Sequence, residues 1–303
     1  LDLKILPKSL IFIGGGYIGS ELALMIARMG VEVTIICRSR LLPGAEPEIS
    51  DALTESFRAE GIIMYCGSTY DACRQDTSGV TICIEHEGER LELTAESLAV
   101  MTGRTPNTEA LGLEDVGVTL DKRGAIVVGD NMQTSNPKIY AAGDVTNRDQ
   151  FVYMAAYGAK LAAKNAVAMG SESYDNSAMP WVVFTDPQVA GVGLSEADAR
   201  EAGFDVKTSL VPLDQVPRAL AARNTRGLIK LVADRKTDKL LGGQIMAPEG
   251  SDSIQTLVMA LKFGMTAKAL GETIFPYLTT VEGLKLAAQT FDKDVTKLSC
   301  CAG

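Results

Sequence analysis

Residues 9–19 read Ser9-Leu10-Ile11-Phe12-Ile13-Gly14-Gly15-Gly16-Tyr17-Ile18-Gly19. The apolar run Ser9 to Ile13 predicts a buried strand that breaks off in glycines. From there the apolar residues fall at Ile18, Leu22, Met25, Ile26 and Met29, one face of a helix. Gly30 follows, where a left-handed C-terminal cap belongs, and Val31 to Ile36 is a second β-rich run. Strand, glycine turn, helix and strand within about 30 residues make a βαβ unit, which demands parallel strands and a right-handed crossover.

Beyond this unit, Glu46 to Glu60 predicts an amphipathic helix stopped by Gly61, and Gly79 to Leu93 holds two alternating runs around Glu87-Gly88, a hairpin signal. Ser97 to Thr102 predicts the closing strand. Residues 108–148 read as short strands and turns, followed by an alanine-rich helix from about Ala155 to Met169. After a polar stretch at 170–177, the chain offers strand-like segments at Trp181 to Gly193, Leu228 to Val232 and Leu240 to Ala247. Helices are expected at Ser195 to Ala202, Ser253 to Phe263 and Val281 to Phe291. The expected fold class is therefore α/β: a Rossmann-type domain with a parallel sheet over 1–106, a middle portion over 107–176, and a C-terminal α+β domain over 177–303.

Composition narrows the function classes. The 303 residues are 46% apolar and 22% charged, ordinary for a globular protein. Lys and Arg number 29 against 38 Asp and Glu, a net charge of -9, which disfavours a nucleic-acid partner. No apolar stretch is long enough to span a membrane. Six cysteines do not make a disulfide scaffold. The single histidine, His86, falls in the predicted hairpin and is expected to be a surface residue; no mechanism can use a histidine pair. Cys37, Cys66, Cys73 and Cys83 show no C-x-x-C spacing and are expected to have no role. Acidic pairs such as Glu46/Glu48 and Asp121/Asp130 are expected to be solvated surface, and Trp181 core or interface packing.

Gly14, Gly16 and Gly19 form a G-x-G-x-x-G that opens a helix directly after a strand, the context in which that pattern binds a dinucleotide. The first glycine permits the tight turn, the second lets backbone approach a pyrophosphate, and the third lets helix and strand pack closely. The pyrophosphate would sit at the helix N-terminus, where N–H groups and the dipole favour an anion. At the end of the second strand a carboxylate would hold the ribose 2′-OH of NAD. Here the chain reads Cys37-Arg38-Ser39-Arg40. Two guanidinium groups, Arg38 and Arg40, suit a 2′-phosphate, so NADPH is expected; the alternative is a solvated charged turn.

Three segments together, Gly16-Tyr17-Ile18-Gly19-Ser20-Glu21, Thr102-Gly103-Arg104-Thr105-Pro106-Asn107 and Tyr140-Ala141-Ala142-Gly143-Asp144, resemble the flavin-linked disulfide reductases over the whole chain. The resemblance implies FAD as a second cofactor, with Asp144 on the flavin's ribityl chain and Gly103 in the cofactor-binding set. It implies that Tyr17 covers the flavin until nicotinamide enters and that Glu21 lies near the carboxamide. It implies a cytoplasmic homodimer whose dimerisation domain is C-terminal. The family's first FAD glycine motif and its Cys-x4-Cys redox pair are not in this sequence, which begins with Leu1. On that reading the chain is a C-terminal portion, expected not to complete the reaction alone.

One departure points to a branch of the family. Members that reduce disulfides carry His-Pro-Thr followed by Glu, the histidine serving the leaving thiol. The matching segment here is Phe275-Pro276-Tyr277-Leu278-Thr279-Thr280, and Phe275 cannot carry a proton. Tyr277 puts a phenol there instead. The end of the chain adds the vicinal pair Cys300-Cys301. Adjacent α-carbons lie about 3.8 Å apart, short of the roughly 4.4–6.8 Å of ordinary disulfides, so a structural staple is disfavoured. Two neighbouring thiols, with Lys293 and Lys297 nearby, are soft ligands for a thiophilic ion. The resemblance is to the Hg(II)-reducing branch. It implies that Cys300 and Cys301 bind Hg(II), pass it to the partner subunit's redox cysteines, and do so past Tyr277. Another disulfide-reductase relative, or a non-enzymatic metal-binding or dimerisation module, are the alternatives.

Overall fold

The computed structural model describes residues 3–77, 79–168 and 172–293. They form two compact units, one made of the described residues within 3–102 and 177–293, the other of those within 103–176.

The first unit begins with β1 (Ser9–Ile13), α1 (Tyr17–Arg28), β2 (Glu32–Cys37), α2 (Pro47–Ala59) and β3 (Ile63–Cys66). An exposed strand β4 (Thr69–Asp76) pairs antiparallel with β5 (Gly79–His86), which pairs with β6 (Glu89–Ala95); β7 (Ser97–Val100) returns to the first sheet. That sheet is wholly parallel, in the order β3-β2-β1-β7. Its strands are near-continuous apolar runs because both faces are covered: Phe12 and Ile35 pack with Leu53 and Phe57, while Ile11, Ile13 and Ile36 pack with Ile82 and Ile84. The β5–β6 turn places Glu87 and Gly88 at φ 51° and 81°, the left-handed pair that a two-residue hairpin needs.

The rest of this unit is α+β. Strands β8 (Pro180–Val183), β9 (Gln188–Gly193), β10 (Val206–Pro212), β11 (Leu228–Asp234) and β12 (Leu240–Ala247) make an antiparallel sheet in the order β10-β11-β12-β9-β8. Helices α4 (Glu196–Glu201), α5 (Pro217–Ala222), α6 (Gly250–Lys262), α7 (Ala267–Glu272) and α8 (Glu282–Gln289) accompany it. Ile229, Leu231, Ile245, Leu257 and Leu284 are wholly buried in its core. Ser195 caps α4 by accepting the Asp198 N–H at 3.1 Å, worth about 1 kcal/mol. Among the described helices none is long and apolar enough to cross a membrane.

The second unit holds isolated bridges (Leu120 to Ile126, Val128 to Thr134, Gln133 to Tyr140) around Val118, Ile126 and Ala141. A short 3-10 turn at Asp144–Thr146 leads to the long helix α3 (Val152–Ala168).

Two expectations fail on burial. Glu46 is not solvated: it is 3% exposed and accepts from the Lys230 ammonium at 3.0 Å. Glu48 joins the same ammonium at 2.8 Å and Glu196 at 2.9 Å. The cluster ties the start of α2 to β11 and α4. A charge period read along the chain cannot see this, because the cation arrives from 184 residues away. His86 is not simply on the surface either. Its Nδ1 lies 2.9 Å from the Ser68 hydroxyl, its ring meets the edge of Tyr65, and its side chain is 22% exposed.

Candidate functional site

The glycine loop is shaped by what its missing side chains would strike. A Cβ on Gly14 would lie 2.4 Å from the Met101 carbonyl oxygen, and one on Gly19 would lie 2.3 Å from the Gly14 carbonyl oxygen. Gly14 also sits at φ +115°, open in practice to glycine only. Both glycines therefore serve close packing of α1 on β1 and β7. Gly16 differs: among the described residues nothing beyond its chain neighbours and its own helix lies within 4 Å of the place its Cβ would take. It is the N-cap of α1, with an extended backbone and no side-chain cap. A helix start with open space before it and no side chain of its own over its first-turn amides is a cradle for a pyrophosphate. The residues present thus fit a dinucleotide.

The loop after β2 closes one side of that cradle. Leu42 donates its N–H to the Gly15 carbonyl at 2.7 Å. Arg38 is exposed. Arg40 is turned onto this loop: its Nη2 donates to the carbonyls of Ala45 at 2.9 Å and Pro43 at 3.2 Å. Its buried Nε has no hydrogen-bond partner among the described residues. Of the two guanidinium groups expected at a 2′-phosphate, Arg38 is the one presented to solvent, and Arg40 is the one that braces the loop.

The first turns of α1 are clamped to the other half of the unit. Tyr17 stacks on Trp181, ring centroids 5.5 Å apart and planes 16° from parallel. Such a pair contributes about 0.5–1.5 kcal/mol beyond its buried area. Burial raises the Tyr17 phenol above its usual range. Gly191 makes room for the indole, since a Cβ there would lie 2.4 Å from the ring. Glu21, one turn further along α1, accepts the Phe184 N–H at 2.8 Å. Trp181 and Phe184 are contacts that sequence reasoning missed. They lie some 160 residues from the helix they touch, and no local pattern marks them.

Tyr277 lies on the turn between α7 and α8 and is 60% exposed. The turn is held from below by Glu282, a carboxylate 3% exposed that accepts the Leu278 N–H at 3.2 Å. Thr279 donates to the Pro276 carbonyl at 2.9 Å. Phe275 packs against the apolar core of the five-stranded sheet. Cys300 and Cys301 lie outside the described residues. Among the described residues no three His, Cys, Asp or Glu side chains are grouped to hold a metal ion.

In the second unit, Arg104 donates to the Asp144 carboxylate at 2.6 Å and to the Gln150 carbonyl at 3.0 Å. The Asp144 side chain is 48% exposed, so one acceptor remains open to a further donor. Gly143 before it sits at φ +82° with Ala155 3.0 Å from where its Cβ would be, and Gly103 sits at φ +133°. A hydroxyl-rich ribityl chain fits a carboxylate presented this way. The Arg104 brace is a partnership the sequence motif contained without revealing.

The comparisons with known proteins agree with this geometry. The description "Pyridine nucleotide-disulphide oxidoreductase" matches residues 1–170, and that family's dimerisation domain matches residues 179–288. Mercuric reductase of Bacillus cereus is 48% identical over all of this chain, which covers 48% of it. Mercuric reductase of Streptomyces lividans is 45% identical, again over all of this chain, which covers 64% of it. This chain therefore spans about half to two thirds of the length of such relatives. Among solved structures, the HOCl-induced flavoprotein disulfide reductase RclA of Escherichia coli superposes with a TM-score of 0.85 at 30% identity, over 95% of this chain and 66% of that one. LpdA of Mycobacterium tuberculosis superposes at 0.84 with 27% identity, covering 62% of that chain. A glycine loop on a parallel sheet, an Ala-Gly-Asp turn and a C-terminal antiparallel sheet follow one another along the sequence, and the chain belongs to the pyridine nucleotide-disulphide oxidoreductase family.

Proposed function

We propose that this chain carries the nicotinamide-binding, second flavin-binding and dimerisation portions of a mercuric reductase, residues 1–106, 107–176 and 177–303 respectively. The overall reaction is Hg(II) + NADPH → Hg(0) + NADP+ + H+. The observation that carries the reading is the turn at 275–282. A protonatable imidazole for a departing thiol is absent there, and the chain's only histidine is held by Ser68 in the hairpin region. What the turn offers is an exposed phenol, Tyr277, above a buried carboxylate committed to backbone. Whole-chain similarity to mercuric reductases supports the same conclusion.

Bound at the residues named below, NADPH would supply a hydride equivalent and flavin would supply two-electron redox chemistry. This chain's residues position those groups. Gly14, Gly16 and Gly19 admit the pyrophosphate to the start of α1, and Arg38 faces the 2′-phosphate. Tyr17, backed by Trp181, forms an aromatic wall at the nicotinamide entrance, and Glu21 orients the carboxamide. Asp144, steadied by Arg104, and Gly103 serve the flavin. Cys300 and Cys301 take Hg(II) as two soft thiolates, and Tyr277 lines its path to the partner subunit's redox cysteines. Chemistry shared across a two-fold axis makes the working unit a homodimer, and its need for NADPH places it in the cytoplasm.

The test is NADPH oxidation by the intact protein with Hg(II) held on an excess of a small thiol, alongside oxidised glutathione and lipoamide as rival acceptors. Hg(II)-dependent oxidation with release of volatile mercury is expected. Faster oxidation with either disulfide would overturn the assignment.

A further inference from the structure

Cys37 and Cys66 stand 29 residues apart, with no motif spacing between them. The fold makes them direct neighbours. They are register partners at the ends of parallel strands β2 and β3, and their sulfurs lie 3.3 Å apart. Adjacent strands run about 4.7–4.9 Å apart, inside the Cα separation that disulfides accept. Closing the sulfurs to about 2.05 Å therefore needs side-chain adjustment rather than a break in the sheet. A linear two-coordinate soft ion would instead require the sulfurs to move apart, each bond alone being about 2.3 Å for a thiolate–metal contact.

The two thiols are unequal in a useful way. Cys37 is buried and Cys66 is half-buried. The Cys37 thiol donates to Cys66, and this bond, opposed by burial and helped by the Arg58 charge and the Leu41 backbone, brings the Cys66 thiol down to about 7. The same bond and burial push Cys37 up. Cys66 is thus the attacking thiolate reachable from solvent, and Cys37 is the resolving thiol held beside it.

The pair also has a meaningful address. The Cys37 β-carbon abuts Gly15 of the glycine loop, 3.1 Å from where a Gly15 Cβ would stand. Arg38, the exposed guanidinium of the dinucleotide site, is the next residue. A change of the Cys37 side chain is therefore felt at Gly15, between the two glycines of the loop, and beside that arginine.

We infer that Cys37 and Cys66 are an oxidation-sensitive dithiol that closes reversibly to a disulfide beneath the glycine loop and weakens dinucleotide binding when closed. The oxidant is a hydroperoxide. The Cys66 thiolate attacks its O–O bond, giving the sulfenic acid and, with one proton, water when hydrogen peroxide is used. Cys37 then attacks the Cys66 sulfur, the S–S bond forms and a second water leaves. The two thiols together lose two electrons and two protons, and a dithiol reductant reverses the change. The site is distinct from the Cys300-Cys301 pair, and its coupling to affinity rests on the dinucleotide reading of the loop.

The test exposes the intact protein to hydrogen peroxide, blocks remaining thiols by alkylation, and maps disulfide-linked peptides by mass spectrometry. A Cys37–Cys66 linked peptide is expected, removed by dithiothreitol and absent in Cys66→Ser and in Cys37→Ala. The oxidised protein should bind NADPH several-fold more weakly than the reduced one. The exposed Cys73 reports that peroxide reached the protein. Cys73 oxidised with Cys37 and Cys66 unlinked would overturn the inference, as would linkage with unchanged NADPH affinity. Reduced protein that binds no dinucleotide would count against the loop reading alone, because linkage is scored without nucleotide.

Discussion

Replacing Lys230 by Met tests what joins the glycine-loop half of the first unit to its five-stranded sheet. The Lys230 side chain is 4% exposed and its ammonium meets Glu46 at 3.0 Å, Glu48 at 2.8 Å and Glu196 at 2.9 Å. Met keeps most of the volume and removes the charge. Breaking a buried ion pair from one side costs about 3–5 kcal/mol, because the other charge stays behind unpaired. Glu46, at 3% exposed, carries that penalty. Glu48 at 40% and Glu196 at 29% are partly solvated, and Glu196 keeps Arg200 at 2.8 Å, so they add little. Glu46 also keeps the Glu196 N–H at 2.6 Å. The lower end, about 3 kcal/mol, is therefore expected. With an m-value near 3 kcal/mol/M, the urea midpoint should fall by about 1 M. The sole tryptophan, Trp181, sits in this unit and reports its unfolding by fluorescence. Adding Glu46→Gln to Lys230→Met should restore much of the loss, since the amide still accepts the Glu196 N–H without a stranded charge.

The deficit should also depend on pH. Burial alone would lower Lys230, but its bonds to Glu48, Glu196 and Glu46 outweigh burial and raise it. Its contribution is thus complete below about 10.4 and is lost only in stronger base. Arg200 first, and then Lys230, hold Glu196 below its ordinary value. That contribution is present above about 4.3 and fades as pH falls through the folded value. From neutrality to about pH 9 the variant's deficit should hold, and in acid it should shrink as Glu196 takes its proton. A loss under about 1 kcal/mol near neutrality, or no recovery in the double variant, would refute the view that the cluster is a buried latch.

Gly16→Ala should leave the urea midpoint almost unchanged yet weaken dinucleotide binding about tenfold by titration, whereas Gly19→Ala should destabilise the fold by about 1–3 kcal/mol through its clash with the Gly14 carbonyl. Arg38→Glu should reduce NADPH affinity far more than NADH affinity; Arg40→Glu should instead lower thermal stability, because Arg40 braces the 43–45 carbonyls. The alkylation rate of Cys66, followed by mass spectrometry, should climb as pH rises through about 7 and the thiolate forms. Replacing Cys300 and Cys301 together by Ala should slow turnover when Hg(II) is supplied on competing thiols; unchanged turnover would make the pair dispensable.

The opening βαβ unit was legible because its signals are local. The apolar run at Ser9 to Ile13, the glycines and the 3.6-residue period of α1 lie within one short window, and strand and helix formed where those patterns stood. Strand β4 was not legible: all its residues are exposed, so it has no buried face to imprint alternation, and it exists through pairing with β5. Strand β10 and the short helices α5 and α7 escaped because distant neighbours stabilise them: β10 pairs with β11, and α7 packs on α8.

By itself the sequence determined the family and the chemical types at the site: three glycines at fixed offsets, an arginine-bearing second strand end, a carboxylate after Ala-Gly, and phenylalanine and tyrosine where a thiol reductase needs histidine. Only tertiary structure decided the partnerships. It set Trp181 on Tyr17, gave Glu21 the Phe184 amide, turned Arg40 inward, buried Glu46 against Lys230 and brought Cys37 to Cys66. The physical reason is the same in the long-range cases. Local backbone preference acts over a few residues, whereas desolvation, stacking and thiol proximity depend on which distant segment folds alongside.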